Sequence, residues 1–179
     1  MVDGGKFKPP IFIHHLADCE PGCCIGDGTK VWRWSHIMNG ATIGVGCMIG
    51  ACVFIASTVR IGNDCRIQNN VFLPDGVIIE DSVFIGPNTT FCNVKKPKAG
   101  KRGKFETTLI KNGAVLGAGC TILPGLTIGA GTIVGAGSVV TKSMPDNVMC
   151  WGNPAKIQRF QYFRSDMDGK TDNTEQKET

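Results

Sequence analysis

The side chains that could do chemistry are few, and their types suggest a small number of roles. The sequence holds three histidines, His14, His15 and His36, and its nine cysteines include no CxxC pair, so the usual spacing of zinc ligands does not occur. His36 has the side chain that most often acts as a general base at neutral pH. A lone histidine at a turn is also frequently structural, so both roles stay open for His36.

A second group of candidates consists of amide and carboxylate side chains. Gln68, Asn69, Asn70, Asp75 and Asn93 lie close together in the sequence. They form either a polar binding surface or an asparagine-rich set of turns, and the residue types alone allow both.

A short basic run, KKPKAGKRGK at residues 95–104, supplies part of the net charge of +4. The remaining charges are mixed in sign, so no extended basic face typical of nucleic-acid binding is predicted. The run indicates either a local anion site or a solvated surface loop.

Two glycine-rich stretches, LGAGCT at residue 116 and VGAGSV at residue 134, are eighteen residues apart. Each places a glycine and an alanine after its first residue, Gly117 with Ala118 and Gly135 with Ala136. Side chains this small leave main-chain N–H and C=O groups open to a close ligand. Tight turns require glycine equally often, so this explanation also stays open.

The elements that position these groups follow from a repeat of six residues. An apolar residue or cysteine opens each block, and a small or β-branched residue usually follows four places later. An amphipathic α-helix repeats at about 3.6 residues and cannot keep this spacing, whereas short parallel strands joined by tight turns can. The opening residues are Ile13, Cys19, Ile25, Val31, Ile37, Ile43, Ile49, Ile55, Ile61, Ile67, Leu73, Ile79, Ile85 and Phe91, then Ile110, Leu116, Ile122, Ile128, Val134 and Val140.

Three blocks form one coil, so residues eighteen apart should stack about 4.8 Å apart, as neighbouring strands do. This predicts two columns, one of His36, Phe54, Phe72 and Thr90 on a face, and one of Asn39, Ser57, Asp75 and Asn93 at the corner after it. Residues 95–109 interrupt the repeat and are expected to form a loop extruded at that corner, with Ile110 resuming on the face after that of Phe91. Loops at such corners often carry function.

Most cysteines fit the repeat as small core residues. Cys19 falls on an opening position, and Cys23, Cys47, Cys65 and Cys120 fall on the small inward positions. Four cysteines lie off these positions, namely Cys24, Cys52, Cys92 and Cys150, and of these only Cys92 neighbours a candidate site residue.

The blocks IGDGTK, IGVGCM, IGNDCR and IGAGTI resemble the [LIV]-G-x-x-x-x pattern of hexapeptide-repeat proteins. The resemblance covers roughly residues 11–157 and implies an all-β fold, a left-handed parallel β-helix with three faces per coil. Periodicity alone does not give this hand.

The segments VWRWSHI, RIQNNVFLPDGV, GPNTTFCNV and WGNPAKI are similar to N-acetyltransferases that act on the amino group of nucleotide-linked amino sugars, including dTDP-3-amino-3,6-dideoxyhexose and UDP-3-amino uronate enzymes. The resemblance implies a homotrimer around a threefold axis, with each active site between two chains and acetyl-CoA along the groove. It implies no metal. The nucleotide, dTDP or UDP, and the position of the amine stay open.

The resemblance also implies roles for individual residues. Asn93, in FCNV, matches a family asparagine that hydrogen-bonds near the sugar amine, and Asp75 could hold the amine or accept its proton. His36, in WSHI, matches a family position near the site and is the candidate general base. If all three fail, the departing CoA thiolate could take the proton.

Binding residues are assigned from their size, spacing and charge, and the resemblance favours the NPAK region that contains Lys156. Cofactor-binding candidates are Gly117, Ala118, Gly135 and Ala136 for the pantetheine arm, and Lys142, Lys156 and Arg159 for the phosphates of CoA. Trp32, Gln68, Asn69 and Asp75 are the candidates for holding the nucleotide sugar. For Trp32 and Trp34, packing between chains is an equally good explanation.

Three other functions compete with this interpretation. A metal-dependent hydratase of the γ-carbonic anhydrase type needs three histidines around a metal, and His14 and His15 would point apart on a strand. An acetyltransferase for another acceptor, such as a free sugar or serine, and a non-catalytic structural β-helix also remain possible.

The ends of the chain give weaker signals. Residues 1–10 carry no repeat and are expected to be flexible, residues 11–157 form the β-helix domain, and residues 158–179 form a cap and a disordered tail. Within IQRFQYF a short helix is expected to cover the last coil. The opening MVDGGKFKPP lacks the apolar core of a signal peptide, and no apolar segment of the sequence is long enough to span a bilayer. We therefore expect a soluble cytoplasmic protein.

Overall fold

The computed structural model describes residues 10–101 and 103–160, and almost every repeat block in them forms one very short strand. Each of the strands β1 to β20 ends on the opening residue of its block, which points inward, and the residue before it points outward. The strands are β1 (Phe12–Ile13), β2 (Asp18–Cys19), β3 (Cys24–Ile25), β4 (Lys30–Val31), β5 (His36–Ile37), β6 (Thr42–Ile43), β7 (Met48–Ile49), β8 (Phe54–Ile55), β9 (Arg60–Ile61), β10 (Arg66–Ile67), β11 (Phe72–Leu73), β12 (Val77–Ile79), β13 (Phe84–Ile85), β14 (Thr90–Phe91), β15 (Thr108–Ile110), β16 (Val115–Leu116), β17 (Thr121–Ile122), β18 (Thr127–Ile128), β19 (Ile133–Val134), β20 (Val139–Val140), β21 (Val148–Gly152) and β22 (Ala155–Phe160).

The strands form three sheets, each made of every third strand. Sheet 1 has the order β1-β4-β7-β10-β13-β16-β19-β21-β22, sheet 2 has the order β2-β5-β8-β11-β14-β17-β20, and sheet 3 has the order β18-β15-β12-β9-β6-β3. Neighbouring strands are parallel throughout, except for the pair β21 and β22. The chain therefore winds as a solenoid with three faces, and the all-β, left-handed β-helix architecture is confirmed.

The predicted stacking by eighteen residues is confirmed on sheet 2. His36 pairs with Phe54, Phe54 with Phe72, and Phe72 with Thr90. The chain after the interruption also resumes as predicted, because Ile110 lies on sheet 3, the face after that of Phe91.

The opening residues form one continuous core along the axis of the solenoid. Ile37, Ile55, Ile67 and Leu116 are among the fully buried ones. The small inward positions tolerate hydroxyl groups because main-chain carbonyls accept their hydrogen bonds, as Gly50 does from Ser35 at 2.6 Å.

The loop ends earlier than expected. Strand β14 ends at Phe91 and strand β15 begins at Thr108, where it pairs with Val77 of β12. Thr108 and Leu109 therefore belong to the sheet and not to a loop of residues 95–109. The predicted end of the loop was two residues too late, because Thr108 and Leu109 already pair with the coil below, which the interrupted repeat hides.

The expected C-terminal helix is wrong for residues 157–160. Strand β22 folds back antiparallel on β21, with Cys150 opposite Ile157 and Gly152 opposite Ala155. A returning strand satisfies the open hydrogen-bonding edge of β21, which a helix would leave unpaired. The rest of the expected helix and the tail lie outside the described residues, as do residues 1–9 of the expected flexible N-terminus.

The cysteines follow the repeat with one correction. Cys47, Cys65 and Cys120 are buried as predicted, whereas Cys150, predicted to lie off the inward positions, is also fully buried because it pairs with Val134 on sheet 1. Cys23, like Cys19, is only partly buried, since it lies near the open end of the solenoid. Burial raises the pKa of the Cys120 and Cys150 thiols, so both stay protonated at neutral pH.

A second correction concerns His14 and His15. Their rings stack with centroids 4.4 Å apart instead of pointing to opposite sides. The reason is that strand β1 ends at Ile13, so both histidines lie in the following turn. No helix in residues 10–101 or 103–160 is long and apolar enough to cross a membrane.

Replacing Ile67 by Ala should destabilise the protein by about 2–5 kcal/mol, because Ile67 is fully buried between coils and the truncation leaves a cavity. Arg66→Ala on the same strand is the matched control, since Arg66 is exposed. Thermal and denaturant unfolding measure both. Equal unfolding midpoints for the two variants would contradict the assignment of the core.

Candidate functional site

The polar residues singled out in the sequence lie at two corners of the solenoid. Corner 1 is formed by the turns that lead from sheet 1 to sheet 2, and corner 2 by the turns that lead from sheet 2 to sheet 3. The long loop of residues 92–107 extends from corner 2.

Asn93 lies at the root of this loop and is held from two sides. Its Nδ2 donates to the main-chain oxygen of Asp75 at 3.3 Å, and its own main-chain oxygen accepts from the Glu106 N–H at 2.9 Å. Lys95 and Glu106 approach within 3.8 Å and join the two arms of the loop beside Asn93. The amide oxygen Oδ1 of Asn93 has no hydrogen-bond partner among residues 10–101 and 103–160, so it can accept from a ligand.

Asp75 lies one coil below Asn93, as the stacking predicts. Its Oδ1 accepts from the Thr58 N–H at 3.1 Å and from the Thr58 hydroxyl at 3.0 Å. The same hydroxyl accepts from the Gly76 N–H at 2.9 Å. One carboxylate oxygen of Asp75 therefore holds the turn below it, and Oδ2 carries no hydrogen bond within the described part of the chain.

This arrangement belongs to a ladder that recurs in the lower coils. In each step, a side-chain oxygen accepts the main-chain N–H of the turn beneath it. Oδ1 of Asn63 accepts from the Val45 N–H at 3.0 Å, and Oδ1 of Asn69 accepts from the Ala51 N–H at 2.9 Å. The Oδ1 of Asn69, a predicted substrate-binding residue, is thus already engaged. Its Nδ2 has no recorded partner within the described ranges and can still contact a ligand.

His36 is paired with two acidic residues near the lower end of the solenoid. Its Nε2 lies 2.8 Å from Oε1 of Glu20 and 3.7 Å from Oδ2 of Asp18. The other oxygen of Glu20 accepts the Asn39 N–H at 2.8 Å. The Asn39 hydrogen bond, followed by that from His36, holds the pKa of the Glu20 carboxyl below its ordinary value.

His36 does not lie with Asn93. Asn93 lies just after strand β14 (Thr90–Phe91), on the same coil. Three strand spacings separate His36 from Thr90, so the coils of His36 and Asn93 are about 14 Å apart along the axis. The His36 ring packs edge-on against Phe54, which stacks on Phe72 with centroids 5.2 Å apart. The structure therefore brings Asn93 and Asp75 together and leaves His36 apart from them.

The cofactor-binding candidates at corner 1 are of two kinds, glycines that are packed against the next coil and alanines that are exposed to solvent. An added Cβ at Gly117 would lie 2.7 Å from Cα of Ala136, and one at Gly135 would lie 2.8 Å from Cβ of Trp151. Both glycines are thus required by the close approach of successive coils. Ala118 and Ala136, by contrast, are exposed, and no described residue accepts a hydrogen bond from their main-chain N–H groups.

Open N–H groups at this position are not confined to the upper coils, because no described residue accepts from the main-chain N–H of Arg33 or Asn69 either. Ala51, at the equivalent position in a lower coil, has its N–H closed by Asn69. Alanine has no acceptor, so the N–H groups of the upper coils point unpaired into solvent, about 4.8 Å apart. Two successive free donors at a groove suit a ligand with amide carbonyls.

The lower part of corner 1 contains a cleft of about 280 Å³ that brings together three predicted substrate-binding residues. Trp32, Gln68 and Asn69 line it together with Arg33 and Met48. Arg33, which the sequence analysis missed, lies with its guanidinium 5.6 Å from the ring centre of Trp34. The cleft and the open N–H groups follow the same corner at different heights.

Corner 2 carries two clefts above the loop, of about 490 and 330 Å³, which share Thr141, Lys142 and Ser143. Cys92 and Lys95 also line the larger cleft, and Lys156 lines the smaller one. Arg159 lines neither. Within one chain the candidate residues therefore fall into two groups, at opposite ends of the strands of sheet 2.

Two residues were missed that the stacking could have indicated. Glu20 lies two residues after Asp18, which stacks below His36, and Thr58 lies eighteen residues below Gly76. Within residues 10–101 and 103–160, no group of three or more His, Cys, Asp or Glu side chains could hold a metal ion.

The repeat matches known family models. The model of the bacterial transferase hexapeptide family (six repeats) matches residues 58–93 and 107–142, and the model described as the hexapeptide repeat of succinyl-transferase matches residues 40–74. The chain therefore carries the hexapeptide repeat that both family models describe. No curated protein sequence is significantly similar to this chain.

Solved structures share the fold. PerB from Caulobacter crescentus, in complex with CoA and GDP-perosamine, is 28% identical with a TM-score of 0.56, over 86% of this chain and 59% of that chain. A hexapeptide-repeat containing acetyltransferase from Vibrio cholerae is 26% identical with a TM-score of 0.57, over 68% of this chain and 71% of that chain.

The acetyltransferase domain of PglB from Neisseria gonorrhoeae has a TM-score of 0.58 at 22% identity, over 85% of this chain and 59% of that chain, which shows the shared fold alone. This hexapeptide-repeat chain spans about three fifths of the length of the PerB and PglB chains.

The ladder separates two roles of Asp75. Asp75→Ala should destabilise the protein by about 1–2 kcal/mol, because both hydrogen bonds from Thr58 are lost. Asp75→Asn keeps an oxygen acceptor in the same place and should unfold near the wild-type temperature. Calorimetry on both variants measures the difference, and an equal loss in both would show that charge, not the ladder bond, stabilises this turn.

Proposed function

We propose that this protein transfers the acetyl group of acetyl-CoA to the amino group of a nucleotide-linked amino sugar. The observation that carries the proposal is the pair of open main-chain N–H groups of Ala118 and Ala136 at corner 1, one and two coils above the coil that holds Asn93. The similarity to PerB, solved with CoA and GDP-perosamine, supports the same substrate classes.

The donor is proposed to lie along the upper half of corner 1. The pantetheine arm of CoA carries amide carbonyls that can accept from the N–H groups of Ala118 and Ala136, whose small, exposed side chains leave the main chain open, while Gly117 and Gly135 let the coils stack closely beside it. Lys142 and Lys156 lie at clefts of corner 2 and supply positive charge for phosphates. No metal is needed in this reaction.

The acceptor amine is proposed to lie against Asn93. Because Nδ2 of Asn93 is engaged by Asp75, the free Oδ1 accepts one N–H of the neutral amine. The free Oδ2 of Asp75 can accept the second N–H, which leaves the nitrogen lone pair to face the thioester. Holding two reactants in this way can supply roughly 7–11 kcal/mol of the barrier in the best cases.

The reaction proposed is direct attack without an acetyl-enzyme. The amine nitrogen bonds to the thioester carbon, the C–S bond breaks, and the electron pair leaves on the CoA sulfur. The surplus proton of the amine passes to Asp75 or to the departing thiolate, which becomes the free thiol. Atoms and charge balance with the amide and CoA as products.

A single chain does not complete this site, since corner 1 and corner 2 lie at opposite ends of sheet 2. A homotrimer in which corner 1 of one chain faces corner 2 of the next would join Ala118 and Asn93. The exposed aromatic residues Trp34, at 61% relative exposure, and Phe72, at 42%, are consistent with surfaces that another chain covers. Trimer assembly is part of the proposal.

His36 keeps a role only at a distance from the amine. A threefold axis parallel to the solenoid leaves heights unchanged, so assembly does not bring any His36 to the level of Asn93. Together with Trp32 and Gln68, His36 lies at the lower end, where the nucleotide of the acceptor would extend. The role of His36 as the general base therefore has little geometric support.

The deciding experiment is a thiol-release assay with acetyl-CoA and a panel of UDP-, dTDP- and GDP-linked 3-amino and 4-amino sugars. Release with one of them is the expected result and names the acceptor. Asn93→Ala should then lower kcat roughly 10²-fold and leave the Kd of acetyl-CoA unchanged, because orientation and not cofactor binding is lost. Release only with a free sugar or serine would replace the acceptor class, and no binding of acetyl-CoA would favour a structural role.

The cofactor groove has its own test in Ala118→Pro. Pro87 occupies the equivalent position one coil below, so proline fits this turn, and the variant removes only the N–H donor. The Kd of acetyl-CoA should rise about fivefold to tenfold, as expected for one lost hydrogen bond. Ala118→Ser keeps the N–H and is the control; calorimetric titration that gives the same Kd for both variants would place the cofactor elsewhere.

A further inference from the structure

We propose that the side-chain amide of Asn88 donates a hydrogen bond to the carbonyl oxygen of the acetyl thioester as negative charge develops there. The inference rests on the proposed function, and it adds a catalytic residue that the sequence analysis did not select. Attack by an amine turns the thioester carbonyl into an oxyanion, which needs a fixed donor.

Asn88 occupies a turn position that recurs in each coil of corner 1 from Trp34 upward. The backbone there has a positive φ, 59° at Asn88, and glycine or asparagine adopts this conformation most readily. The same position is held by Trp34, Cys52 and Asn70 in the coils below and by Gly119 and Gly137 in the coils above. At this turn position, Asn88 is the uppermost residue that has a side chain, and it lies directly beneath the proposed cofactor groove.

The orientation of the Asn88 amide is fixed by its neighbour. Nδ2 of Asn70 donates to Oδ1 of Asn88 at 3.2 Å. Since its oxygen is engaged from below, the Nδ2 group of Asn88 remains as a donor, and Asn88 is exposed. The donor is therefore oriented before a ligand binds, which is the condition for efficient electrostatic stabilisation.

The main chain offers little competition at this level of corner 1. Pro87 has no N–H, the Gly86 N–H donates to Leu116 at 2.8 Å, and the Asn88 N–H donates to Asn69 at 3.0 Å. Of these three residues, only Asn88 can supply a donor, and it does so through its side chain. The next free main-chain donor is Ala118, one coil higher.

The height of Asn88 matches that of the acceptor group. Asn88 and Asn93 flank the same strand, β14, and so lie on one coil, on the order of 15 Å apart across the face of sheet 2. In the proposed assembly, corner 1 of one chain faces corner 2 of the next. This places Asn88 of one chain level with Asn93 of the neighbouring chain. One amide then orients the amine, and the other receives the oxyanion.

The test uses Asn88→Gly, because glycine tolerates the positive φ and removes only the amide. With the acceptor found in the thiol-release assay, kcat should fall about 10²–10³-fold while the Kd of acetyl-CoA stays within twofold, the effect expected for one lost oxyanion donor. Cys52→Gly changes the same turn two coils lower and should keep wild-type kinetics. A wild-type kcat for Asn88→Gly would overturn the proposal and leave the Ala118 N–H as the oxyanion donor.

A second measurement does not depend on the acceptor. Infrared spectra of bound acetyl-CoA carrying a ¹³C-labelled carbonyl should show a shift to lower frequency in the wild type and in Cys52→Gly, and a smaller shift in Asn88→Gly. Equal shifts in all three proteins would contradict the proposal. If no sugar nucleotide in the panel is acetylated, the proposed function fails, and this spectrum still decides the role of Asn88.

Discussion

The hydrogen-bonded spacing between successive coils is the constraint on which the rest of this structure depends. Main-chain bonds join each coil to the next on all three faces, from His36 to Val53 at 2.9 Å, from Gly44 to Ile61 at 2.8 Å and from Gly117 to Val134 at 2.8 Å. Parallel strands held in this way lie about 4.8 Å apart. Every side chain therefore contacts the residues at the equivalent position of the coils above and below. A residue that is too large for this spacing, or that leaves a polar group unpaired, disturbs both neighbours.

The same spacing makes each corner position a choice between stability and binding. Where Asn69 or Asp75 occupies the corner, its oxygen closes the N–H of the turn below, and the coils are joined more firmly. Where Ala136 stands, the N–H of Ala118 in the turn below has no side-chain acceptor and becomes a donor for a ligand. A single residue per coil can thus open or close the groove without changing the fold, which explains how such a regular scaffold can carry a local site.

The sequence predicts best those features that repeat from coil to coil. The six-residue period gives the sheets, the stacking of His36 on sheet 2 and the nearness of Asn93 to Asp75, since all three follow from translation along one axis. It fails where the repeat ends. Strand β22 replaces the expected helix because β21 has no further coil to pair with, and Cys150 becomes a core residue because the hairpin continues sheet 1.

Within the site, the sequence indicates which residues lie near each other but not which atoms remain free. The engagement of Oδ1 of Asp75 by Thr58, and of Nε2 of His36 by Glu20, depends on rotamers that no spacing reveals. These bonds decide the chemistry, because they leave one oxygen of Asp75 available and tie His36 to an acidic partner. The sequence predicts one catalytic group of His36, Asp75 and Asn93, whereas the structure separates His36 from the other two.

Height along the solenoid orders the remaining functional groups. From the lower end upward, corner 1 carries the cleft at Trp32 and Gln68, then Asn88, then the open N–H groups of Ala118 and Ala136. A nucleotide sugar and acetyl-CoA are both long molecules that react at one end, so two of them meeting end to end need a groove with the reacting level in the middle. In the proposed trimer, rotation about an axis parallel to the solenoid would preserve this order in every chain. In the proposed reaction, the amine would approach from below and the thioester from above, and they would meet at the level of Asn88 and Asn93, where the loop also arises from corner 2.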